Sequence, residues 1–106
     1  MVKAGELRER LTPERPLDTP DDGGGALRVW QAMAPVRARV TPLAAGPRRS
    51  AGRDGELLRF EVVLRGGSEI RAGMRLLWRG RVLDVVATRP LDAAERFLVL
   101  ECEERR

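Results

Sequence analysis

Apolar and charged residues alternate along most of this chain with a period of two. Leu58, Phe60, Val62 and Leu64 fall on one side of an extended segment, and Arg59, Glu61 and Arg65 fall on the other. Val36, Ala38 and Val40 alternate in the same way with Arg37, Arg39 and Thr41. Leu98, Leu100 and Cys102 alternate with Phe97, Val99 and Glu101, and Leu83, Val85 and Ala87 with Asp84 and Thr88. Between these segments stand turn-formers: residues 16–25, Gly46-Pro47, Gly52 to Gly55, Gly66-Gly67, Gly73, Arg79-Gly80 and Arg89-Pro90. The pattern predicts strands over residues 7–15, 27–33, 36–41, 56–65, 74–78, 81–88 and 96–103. Strands this short and this evenly spaced point to an all-β domain over residues 1–106, a small antiparallel β-barrel or sandwich of about six to seven strands. Trp78-Arg79-Gly80-Arg81 reads as a tight hairpin, because Gly80 can take the positive φ that such a turn needs. Pro13 requires an edge position or a bulge. Two long loops are expected, at 16–26 and at 43–55, and loops of the second length are commonly functional.

Composition narrows the function classes. Hydrophobic residues make up 42% and charged residues 34% of the 106, which excludes a chain disordered throughout. Strictly apolar runs stop at four residues, as in Phe97-Leu98-Val99-Leu100, so no membrane span is expected, and no secretory segment follows Met1-Val2-Lys3. With no histidine and one cysteine, a disulfide framework, a zinc site and a Ser-His-Asp triad are excluded on inventory. No cofactor is expected. Of the 20 basic residues only Lys3 is a lysine. Arginine suits interface pairs and phosphate contacts, although codon bias in a GC-rich genome explains the ratio equally well. The net charge of +4 is spread along the chain, which argues against a dedicated sequence-reading DNA binder.

Candidate chemical groups are few. Ser50 and Ser68 have no histidine to activate them. Glu61 and Asp84 could meet on neighbouring strands, but pairing with Arg59 or Arg75 on a solvated face is the simpler expectation. Glu101, Glu103 and Glu104 form an acidic run whose members divide between strand faces. The chain is not expected to be an enzyme. Cys102, in phase with Leu98 and Leu100, reads as a small core residue. Trp78 beside Arg75, Arg79 and Arg81 is the one local match to a single-strand-binding platform, and its phase with Met74 and Leu76 places it inside instead. Gly52-Arg53-Asp54 is a chance tripeptide in an Arg- and Gly-rich loop. Gly23-Gly24-Gly25 follows two aspartates and precedes a strand, so it is a hairpin tip and not a phosphate loop.

Read in order, the segments resemble a known family. An Arg- and Glu-rich first strand leads through an Asp-Gly-Gly loop to Leu27-Arg28-Val29-Trp30, then to Val36-Arg37-Ala38-Arg39-Val40-Thr41-Pro42-Leu43. After a long loop come Leu58-Arg59-Phe60-Glu61-Val62, Ile70-Arg71-Ala72-Gly73-Met74-Arg75-Leu76, Arg79-Gly80-Arg81-Val82-Leu83-Asp84-Val85 and Arg96-Phe97-Leu98-Val99-Leu100-Glu101-Cys102. This is similar to the tailed-phage head–tail joining proteins, the head-closure or stopper proteins, which also occur in prophages and gene transfer agents. Leu83 stands where the family often carries tyrosine. The resemblance implies a virion neck component, assembled in the bacterial cytoplasm as a homo-oligomeric ring, a hexamer or dodecamer. Its implied partners are portal and adaptor proteins, the tail terminator, and double-stranded DNA passing through the lumen without sequence specificity. The loop after the third strand would line and gate the channel. Here that loop carries Gly46, Arg48, Arg49, Gly52, Arg53 and Gly55. The acidic tip with Asp18, Asp21, Asp22, Gly23 and Gly24 is the candidate for docking a neighbouring ring. The competing reading is a monomeric small-barrel nucleic-acid-binding module.

Overall fold

The computed structural model describes residues 4–43 and 57–105. A single 3-10 turn, Ala4–Glu6, precedes seven strands: β1 (Glu9–Pro20), β2 (Ala26–Ala32), β3 (Val36–Pro42), β4 (Leu57–Arg65), β5 (Arg75–Trp78), β6 (Arg81–Pro90) and β7 (Phe97–Arg105). All are antiparallel and lie in one sheet, in the order β2-β1-β3-β4-β7-β6-β5, and β5 pairs in turn with β1. That last pairing closes the sheet on itself, which satisfies both edges of β5 and leaves its inner face to form a core. The all-β expectation holds, with the number of strands at the upper end of the expected range.

Inside the closed sheet pack Leu11, Phe60, Val62, Leu64, Leu76, Trp78, Leu83, Val85, Leu100 and Cys102. All but Leu11 are residues that the period-two pattern assigns to one face, so amphipathic alternation and burial coincide. The connection from β4 to β5 joins strands that are not neighbours, and it carries Ile70 into the same core. A second, smaller cluster lies on the outer face. There Val63 and Val99 are cross-strand partners, buried with Leu7 and packed against Leu91 and Phe97.

Three details depart from the expected pattern, each for a local reason. A bulge at Val86 shifts the phase of β6: Val85 opposes Cys102, whereas Ala87 opposes Glu101 and Thr88 opposes Leu100. Ala87 therefore leaves the face of Leu83 and Val85. Between β2 and β3, the pairs Glu14 with Ala32 and Leu11 with Val36 leave Met33, Ala34 and Pro35 opposite Thr12 and Pro13. The extra residue puts Pro13 at an irregularity, where its missing N–H breaks no ladder. The third departure is the loop expected at 16–26. The β1–β2 ladder instead runs without interruption to Pro20 and Ala26, leaving only residues 21–25 as the turn. The Pro13 carbonyl accepts from the Met33 N–H, so alternate positions, Pro16 and Pro20 among them, aim their nitrogens at the opposite edge of β1. Pairing with β5 covers that edge only over residues 12–14. Prolines facing an unpaired edge cost no hydrogen bond.

The result is a closed sheet with a two-stranded ribbon projecting from it. The principal extents are 51 × 34 × 26 Å and the radius of gyration is 15.3 Å, against about 13 Å for a compact chain of this length.

Candidate functional site

The ribbon is locked at its base. Glu14 closes an ion pair with Arg75 at 2.7 Å, and the Arg75 guanidinium lies 4.1 Å from the centroid of the Trp30 ring. β1, β2 and β5 are thereby tied together by one arginine, which uses its planar fork on the carboxylate and its face on the indole. The sequence marked Trp30 only as part of the strand Leu27-Arg28-Val29-Trp30, and its link through Arg75 to Glu14 was not visible there, since contacts between strands distant in sequence leave no local pattern.

Farther out, Asp18 lies within β1 opposite Arg28 and accepts from its Nε at 2.8 Å and its Nη2 at 3.1 Å. Those bonds hold the Asp18 carboxyl below its ordinary value and raise Arg28 above its own. At the tip, Asp21 Oδ1 accepts from the N–H groups of Gly23 and Gly25, each at 2.9 Å. The Asp21 N–H donates to the Gly25 carbonyl, and Gly24 sits at φ 88°, a conformation that favours glycine. The acidic tip is a formed turn, with Asp22 exposed at its crest. Of the residues expected to dock a neighbouring ring, the structure brings Asp21, Asp22, Gly23 and Gly24 together and places Asp18 down the strand.

The other distinctive region is an arginine–aromatic cluster where β3 ends and β4 begins. Phe60 pairs with Pro42 of β3 and meets Trp78 edge to face, centroids 5.7 Å apart. Arg81 lies 5.2 Å from the Phe60 ring and 5.1 Å from the Trp78 ring, and it holds Glu104 through Nη2 at 2.6 Å and Nε at 3.0 Å. Trp78 Nε1 donates to Glu9 at 2.9 Å, and Arg79 donates to the same carboxylate at 3.0 Å. The Trp78 bond, more than the arginine, keeps the Glu9 carboxyl below its ordinary value. Arg79 and Gly80 both take positive φ, 51° and 76°, as a two-residue hairpin turn of this hand demands. Trp78 is only 8% exposed and has its N–H occupied, so it is built into the wall and is not a stacking platform for bases.

The six residues expected to gate a channel, Gly46, Arg48, Arg49, Gly52, Arg53 and Gly55, lie outside the described residues. The strands that flank them end beside the arginine–aromatic cluster, since Leu58 pairs with Glu104 and the Leu43 N–H donates to the Arg59 carbonyl.

Glu61 and Asp84 do not meet. β7 runs between them, placing Glu61 opposite Glu101 and Asp84 opposite Glu103. Arg89 bridges Glu61 at 3.8 Å and Glu101 at 3.7 Å. Among the described residues no three acids, cysteines or histidines gather as a metal site. Cys102 is buried, and burial first, then the Asp84 and Glu101 charges, pushes its thiol up to about 12, well away from nucleophilic use. No helix among the described residues is long and apolar enough to cross a membrane.

The profile of the phage head completion protein family matches residues 2–105, nearly the whole chain. The chain belongs to that family. A head completion protein is a structural component of the virion, acting where the head is joined to the tail, and this agrees with the family resemblance carried by the order of its strands. The fold has solved counterparts. One, in the virion of a native gene transfer agent particle, superposes with a TM-score of 0.80 at 24% identity, covering 94% of this chain and 96% of that one. Another, the solution structure of protein SF1141 from Shigella flexneri 2a, superposes with a TM-score of 0.73 at 24% identity, covering 97% and 96%. No curated protein matches.

Proposed function

We propose that this head completion protein works as a ring of copies, a hexamer or dodecamer, seated between the portal or adaptor and the tail of a phage or gene transfer agent particle. The observation that carries the reading is the family match across residues 2–105. The likeness to a chain of a gene transfer agent virion supports it. In this reading, DNA passes along the ring axis without sequence recognition. The segment 43–55 faces the channel, and its Arg48, Arg49 and Arg53 attract phosphate irrespective of sequence. The β1–β2 turn, with Asp22 at its crest, reaches the adjoining ring, where a carboxylate can meet arginines. The tail terminator docks on the completed ring.

Removing residues 44–53 in the producing strain tests the channel role. The expected result is particles that leak DNA or fail to acquire tails. Normal particle yield with normal DNA retention would contradict it.

A further inference from the structure

The apolar face of the projecting ribbon is an extension of the core face beyond the closed sheet. Along β1, Leu11 and Pro13 point inward, and the same phase continues as Arg15, Leu17 and Thr19. Their cross-strand partners on β2 are Gln31, Val29 and Leu27. Among the described residues nothing covers this stripe: Leu17 is 38%, Val29 43% and Leu27 59% exposed. Both long edges of the outer ribbon are also unpaired among the described residues. A lone two-stranded ribbon is marginally stable in water, and a projecting apolar stripe on it marks a contact surface.

The same chain carries a second exposed apolar patch, on β6, where Val82 is 40% and Val86 48% exposed and Val82 neighbours Leu77 across the β5–β6 ladder. The two patches are unlike and lie on different parts of the molecule. Their flanking charges are complementary. The ribbon stripe runs from Arg15 at its base to Asp22 at the tip, whereas Arg79, in the turn before β6, and Asp84 stand on either side of Val82, with Val86 beyond Asp84. Two unlike complementary patches on one chain make a head-to-tail contact, and such a contact generates a ring when its rotation closes. Ribbon-to-ribbon pairing would instead yield a closed dimer and leave the β6 patch bare.

We propose that the occupant of the ribbon stripe is a second copy of this chain: Leu17, Val29 and Leu27 of one subunit lie on Leu77 and Val82 of the next, with Arg15 toward Asp84 and the outer end of the stripe toward Arg79. This rests on the ring reading above and names the contact that builds the ring. The tip stays at the rim, where it also reaches an adjoining ring.

The test uses the full chain, Cys102 replaced by serine, with Val29→Cys and Val82→Cys introduced together. Cysteines at a true contact come within disulfide reach, a Cβ separation of roughly 3.5–4.5 Å. Particles carrying this variant are purified and mildly oxidised, and the chain is resolved on a denaturing gel. The contact predicts a ladder of cross-linked multimers, with neither single-cysteine variant passing the dimer. Copy number per particle is counted separately by quantitative mass spectrometry. Six or twelve copies without a ladder would overturn the contact and leave the ring reading standing; a single copy would overturn both. As a second variant, Leu27→Asp with Val29→Asp alters only exposed side chains. It should keep the wild-type melting curve while its incorporation into particles falls at least tenfold, and unchanged incorporation would overturn the proposal.

Discussion

β1 is one strand in two environments, and the contrast separates what folds this chain from what it presents to others. Over residues 9–14 the strand pairs with β3 or the end of β2 on one edge, β5 covers the other edge over residues 12–14, and Leu11 is wholly buried. Over residues 15–20 it keeps only β2, and Leu17 on the same face is open to water. The alternation of residue types barely changes across the boundary. What changes is the number of strands available to cover the face, so hydrophobic alternation reports which face is apolar and not whether that face stays inside the subunit. Among the described residues the exposed large apolar side chains therefore lie on the ribbon and on β6, apart from Leu43 just after β3.

The contrast is broken most forcefully by deletion of side chains. Leu76→Ala in the closed sheet removes a wholly buried side chain and should cost about 2–5 kcal/mol of unfolding free energy in urea titrations. Leu27→Ala on the ribbon should change it by no more than about 0.5 kcal/mol. Similar losses at both sites would show that the ribbon belongs to the subunit's own core.

A smaller effect should come from the ribbon's anchor. Trp30→Ala removes the ring over which Arg75 lies and should cost about 0.5–2 kcal/mol. Its sharper signature is local, with faster amide exchange over residues 26–32 and unaltered protection in β4 and β7. Uniform acceleration across all strands would contradict the division into two regions.

The smallest effect is acid sensitivity. Glu9 bonded to Trp78, and Asp18 bonded to Arg28, are held below their ordinary values of 4.5 and 3.8. A carboxylate held low contributes stability that is fully present above its unfolded value and lost as pH falls through its folded value. Unfolding midpoints should therefore decline below pH 4.5, and Glu9→Gln should flatten that decline. For Asp18 the decline should register as faster exchange in the ribbon. A pH profile from 5 to 3 that is identical in wild type and Glu9→Gln would remove the carboxylate from the account.

Much of the fold was legible in the residues because each core strand carries its own alternation. The closed sheet was visible in Leu58 to Leu64, Val36 to Val40 and Leu98 to Cys102, and the turn at Arg79-Gly80 in one glycine. The ribbon was hidden because Pro16, Pro20 and three glycines carry the signature of a loop. Whether a proline breaks a ladder depends on which edge its nitrogen faces, and that follows only from the pairing of β1. The phase of Ala87 was hidden for a similar reason, since a bulge of one residue leaves no mark in composition. Trp78 illustrates the opposite case. Its phase with Leu76 outweighed its arginine neighbours, and the structure uses those arginines to hold it in the wall.

Image reconstruction of particles from the producing strain, made without imposed symmetry at the junction of head and tail, tests the central claim most directly. The account predicts this closed sheet repeated around the DNA axis as a continuous ring, each ribbon lying on the β6 face of its neighbour. The chain found there as an isolated copy off the axis, or missing from that junction, would contradict it.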